Sequence, residues 1–92
     1  MKLSQTEFAR LARAHKTADD HLKLAAHFRA HAADHESDAK LHEEIAGHAS
    51  GHHAMEANLA SEARHYAAHS REAAEAMRNM AKIHEQLATD HK

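Results

Sequence analysis

The chain has no cysteine, so it can build no disulfide framework, no thiolate zinc site and no thiol nucleophile. It has no proline and only two glycines in 92 residues. That leaves almost no turn material and argues against a sheet of short strands. Apolar runs stop at two or three residues, so no segment is expected to enter a membrane. Neither sign of charge dominates: 12 basic residues stand against 14 acidic ones, for a formal charge of −2. Such a balance offers no basic surface for nucleic acid near neutral pH. The start, Met1 to Glu7, lacks the apolar stretch of a secretory signal. The compartment therefore stays open: periplasmic where a leader has been removed, cytoplasmic otherwise.

What is there is alanine and histidine. Alanine supplies 23 of the apolar residues, while Leu, Ile, Val and Phe together number 11. A Leu-Ile-Val-Phe share below roughly 20% marks disorder only when the net charge is high. Here it is low, and alanine is the best helix former, so helix is the expectation. The core is thin enough that a partner chain or a bound ligand should add to its stability.

A heptad runs through almost the whole chain. Position a takes Leu11, Ala18, Ala25, Ala32, Ala39 and Ala46, then Ala60, Ala67, Ala74, Ala81 and Ala88. Position d takes Ala14, His21, Phe28, His35, His42 and Ala49, then Ala63, Ser70, Met77, His84 and His91. The halves repeat at an offset of 42 residues: Ala39 to Ala46 resembles Ala81 to Ala88, and Ala25-Ala26-His27 matches Ala67-Ala68-His69. Both glycines fall in one break, where Gly47 suits a helix C′ position and Ser50 a following N-cap. Ser4 to Glu7 has capping-box spacing, and Thr17 to Asp20 offers a second start near 16–17, hence a kink or a short leading helix.

The expected fold is all-α: one domain over residues 1–92, an antiparallel helical hairpin with helices at 5–46 and 52–89 and a turn at 47–51. Each helix would be about 60 Å long. Position e carries Arg29, Glu36 and Glu43 opposite Arg64, Arg71 and Arg78, a solvated edge suited to ion pairs. Position g carries Leu24, Ile45, Leu59, Tyr66, Met80 and Leu87. That apolar edge predicts a homodimer, two hairpins forming a four-helix bundle.

Thirteen histidines demand an account. Imidazoles at i and i+4 share a helix face and can clamp Cu(II), Ni(II) or Zn(II). Four such pairs occur: His27/His31, His31/His35, His48/His52 and His65/His69. Asp38 and His42 extend the first stripe, and Asp34 lies in it. With the turn centred near 49, residues whose numbers sum to about 98 lie level. His27, His31 and His69 then form a three-imidazole site beside Tyr66, and His48, His52 and His53 a second, more exposed cluster. The candidate metal ligands are thus His27, His31, His35, Asp38, His42, His48, His52, His53, His65 and His69. The plain alternative for any one imidazole is surface filler or a satisfied buried polar group, and His21, His35, His42 and His84 at d can simply pack against alanine.

Binding, buffering or storage of a divalent transition metal (Cu, Ni or Zn) is the leading functional expectation, with no catalysis. A hydrolase lacks its glycine-rich elbow and a deep pocket. Glu62 to His65 has di-iron Glu-x-x-His spacing but no matching second motif. The rival is a structural or interaction hairpin whose histidines make its association pH-dependent. A third reading is haem held by two d-position imidazoles.

The chain resembles small histidine-rich bacterial metal-binding helical bundles built from heptad-like repeats. It is also similar to a group of poorly characterised alanine- and histidine-rich bacterial helical proteins, through Thr17-Ala-Asp-Asp-His21 and Leu24-Ala-Ala-His-Phe28. The second likeness extends from Thr17 to Ala88. The His-Cys pair of that group's second half is missing, so no role of that cysteine carries over. The first resemblance implies metal storage, buffering or scavenging, often outside the cytoplasmic membrane.

Overall fold

The structure, a computed structural model, describes residues 2–49 and 54–90. Among these residues there are three helices and no strand: α1 (Gln5–Ala14), α2 (Ala18–His48) and α3 (Ala54–Asp90). The caps act where the sequence places them. The Ser4 hydroxyl accepts the Glu7 N–H at 3.1 Å and starts α1. Thr17 does the same for Asp20 at 3.1 Å, and the Asp20 carboxylate accepts the Lys16 N–H at 3.1 Å in return. Those backbone bonds, Lys16 first, hold the Asp20 carboxyl below its ordinary range. The reciprocal pair makes α1 a separate short helix rather than the first turns of a long one.

At the other end α2 runs through Gly47 to His48, so Gly47 lies inside the helix rather than at its C′ position. A Cβ there would meet nothing within 4 Å, so packing does not require a glycine. The expected N-cap Ser50, together with Gly51, His52 and His53, lies outside the described residues.

The helices belong to two compact units. The first contains residues up to Ala32 and from Glu75 onward. Its core joins Leu3, Leu11, Leu24, Ala25, Phe28 and Ala81, with Phe8, Met77 and Met80 packed against it. Leu24 and Met80 occupy the heptad's g edge. In this unit α1 and the residues before it cover that edge, the one from which the sequence predicts a second chain. A ten-residue helix is too short to hold its shape alone in water, so α1 exists because Leu11 and Phe8 dock. On the opposite edge, Arg29 grips Glu85 through two hydrogen bonds of 3.0 and 2.6 Å, one e position to another.

The second unit comprises Ala33–Ala74. Here the a positions Ala39, Ala46, Ala60, Ala67 and Ala74 are buried, as are Ala63 and Ser70 at d. All the large apolar side chains buried among the described residues, Leu3, Leu11, Leu24 and Phe28, belong to the first unit. The second is an alanine seam, and its long helices pack antiparallel: Ala46 lies against Ala60 and Ala63, and His42 against Tyr66. Arg71 forms a bidentate ion pair with Glu43, again e to e. On the g edge Leu59 and Tyr66 stay about half exposed, with Ile45 beside them.

Level pairs follow a different register from the one centred on residue 49. His42 meets Tyr66 in the second unit, and His21 meets His84 in the first, so level numbers sum to about 105–108. The offset is about one heptad, which leaves every a and d residue on the seam.

Candidate functional site

The stripe from His27 to His42 does not act as one surface. His27 is 5% exposed. Its Nδ1 accepts the Leu3 N–H at 3.0 Å, and its ring stacks on Phe8 at 4.4 Å. The Leu3 N–H can only donate, so Nδ1 must be unprotonated. Burial, followed by repulsion from His31 and Lys2, lowers the His27 pKa. His31 is half-buried with its ring 4.4 Å from that of His27, beside a cleft of about 370 Å³ floored by Phe28 and Met77. The expected partner of these two, His69, belongs to the second unit, whereas they belong to the first. Tyr66, expected beside His31, instead faces His42 at 4.2 Å.

His35 is half-buried and Asp38 exposed. The His42 Nδ1–H donates to the Asp38 carbonyl at 2.8 Å, a local bond within the helix that leaves Nε2 available. His48 is exposed at the end of α2 and lines a groove of about 520 Å³ with Leu41, Ile45, Glu56 and Leu59. The His52 and His53 of that expected cluster lie outside the described residues.

One predicted pair brings two ring nitrogens to a separation that a chelate would also require. His65 and His69 are exposed on α3, and their Nε2 atoms are 3.1 Å apart. Two nitrogens bound at about 2.05 Å to one ion, at an angle of about 100°, would be separated by about 3.1 Å. One Nε2–H now donates to the other Nε2; a metal ion could take that place once the donor ring moves its proton to Nδ1, so that both imidazoles stay neutral. The Glu72 carboxylate lies 3.9 Å from His69 Nδ1, on the far side of the ring. Its charge favours a proton on Nδ1 and so frees Nε2. Among the described residues no group of three or more His, Asp or Glu is arranged to hold a metal ion. This pair would therefore supply two protein ligands, with water completing the shell.

Three imidazoles meet elsewhere: His21 and His84, d positions expected to pack against alanine, and the exposed His15, which no spacing singles out. His21 is 2% exposed, and its Nδ1 lies 2.9 Å from that of His84, one donating and the other accepting. His15, just beyond α1, donates from Nδ1 to the Leu11 carbonyl at 3.1 Å. Its ring centre lies 4.9 Å from that of His21 and 5.6 Å from that of His84. Phe28 stacks on His84 at 5.7 Å. Burial first, then repulsion from His21 and His15, lowers the His84 pKa. The d positions of His21 and His84 signalled a shared seam, but only the register brings the two together.

No helix among the described residues is long and apolar enough to cross a membrane. Comparison with protein-family models, curated proteins and solved structures finds no match to this chain.

Proposed function

We propose that the chain binds divalent transition-metal ions, Cu(II) most strongly and then Ni(II) or Zn(II), through the His65/His69 chelate. The 3.1 Å separation of the two Nε2 atoms on an exposed helix face carries this reading. Two imidazoles with open water positions favour exchange over tight retention, so the role is buffering rather than deep storage. Protons compete with the ion for the same imidazole nitrogens, so binding weakens as the pH falls. Association of two copies along the edge at Ile45, Leu59 and Tyr66, completing a four-helix bundle, belongs to the same reading, and sedimentation in chelator would test it.

The direct experiment is calorimetric titration of untagged protein with Cu(II) at pH 7.4. Replacing His65 and His69 together by alanine should remove one binding equivalent. Glu72→Gln should weaken that equivalent only slightly, because the carboxylate lies 3.9 Å from His69 Nδ1, beyond hydrogen-bond distance, and acts through its charge alone. An unchanged titration in the double variant would refute the site.

A further inference from the structure

We propose that His15, His21 and His84 form a protonation-controlled latch that keeps α1 docked while they are neutral and releases it when they take up protons. The three rings come from three elements of the first unit: the residue that ends α1, the first turn of α2 and the last third of α3. Their centres lie 4.9, 5.2 and 5.6 Å apart.

Proton counting makes the cluster a switch. The 2.9 Å contact between the two Nδ1 atoms holds one proton. A first added proton can go to an outer nitrogen and leave the bond intact, at the cost of a charge in a partly buried site. A second added proton sets N–H against N–H and breaks the bond. His15 keeps its bond to the Leu11 carbonyl when charged, because Nδ1 donates in either state. It then brings a further positive charge to the end of α1, facing the other two.

The carboxylates adjacent to the cluster in sequence are already engaged. Asp20 on α2 accepts from Lys16 and Thr17, and Glu85 on α3 holds Arg29. Phe28, the aromatic neighbour of His84, carries no charge to offset theirs. The depressed His84 pKa agrees with this geometry. Release of α1 would uncover Leu24 and Met80, so the acid form would present an apolar edge that the neutral form conceals.

The test is run in chelator, so that it stands apart from metal binding. Limited trypsin digestion, normalised at each pH to an unstructured peptide of the same sequence as α1, reads cleavage after Arg10 and Arg13. Cleavage after Lys40 and Arg64 in the second unit serves as the internal reference. Cleavage in α1 should rise about tenfold between pH 7.5 and 5.0 relative to the reference, because the released form takes up protons that the docked cluster resists. His84→Leu should cut the rise to about twofold, because one imidazole fewer charges at the same place. Nuclear magnetic resonance titration of the wild-type histidine ring protons needs no variant. The signals of His15, His21 and His84 should move together, with a midpoint matching the cleavage. Equal pH dependence in wild type and His84→Leu, parallel loosening of both units, or independent titration of the three rings without release of α1 would each overturn the latch.

Discussion

Replacing Leu11 by alanine should undock α1 while leaving the long helices paired. Leu11 is 0% exposed and is the one fully buried side chain of α1. It sits among Leu3, Leu24, Phe28 and Ala81. Deleting a buried leucine to alanine typically costs about 2–5 kcal/mol, the spread depending on how far the site can collapse. Taking about 3 kcal/mol, the docking equilibrium shifts by a factor of about 150. Alanine is at least as good a helix former as leucine, so any loss of helicity in α1 must come from lost packing. Hydrogen exchange read by mass spectrometry over residues 4–15 should show protection falling by about two orders of magnitude, with α3 amides between 60 and 74 unchanged. Wild-type protection of α1 in this variant would refute the claim that docking, rather than local propensity, makes it a helix.

Three further outcomes follow from the same geometry. In chelator, urea stability should hold above about pH 6.5 and fall below it: the unfolded chain then takes up a proton that folded His84, its pKa depressed by burial, resists. The loss levels off once the folded group also protonates; a midpoint independent of pH between 7.5 and 5.0 would contradict it. Ala74→Leu, at a position with 0% exposure on the alanine seam, should destabilise by about 1–3 kcal/mol through overpacking, against a gain if the seam held free volume. Arg71→Ala should lower the thermal midpoint only slightly, because its pair with Glu43 is solvated; a drop as large as that of Leu11→Ala would show that the e edge carries the fold.

Much of the fold was legible because the rules that set it are local. Ser4 and Thr17 announced two helix starts, and both hydroxyls cap as their spacing required. The heptad named the buried face: from Ala25 onward every a position in the described helices is buried. The i, i+4 rule placed His65 and His69 together because both lie on one helix, where three and four residues apart means adjacent. The same rule paired His27 with His31, yet gave no sign that the amide of Leu3, 24 residues away, would bind His27. Nor could it show that His21 and His84 face each other across 63 residues.

The amino-acid order alone thus determined that the chain is helical, where α1 and α2 are capped, and which stripe of each long helix turns inward. It did not set how far one helix slides along the other, because a seven-residue repeat with alanine at every a position fits almost equally well when shifted by seven. Only the tertiary structure chose the register, and with it which imidazoles meet. It also placed α1 on the edge at Leu24 and Met80. That choice rests on contacts between residues far apart in sequence, which no local spacing records.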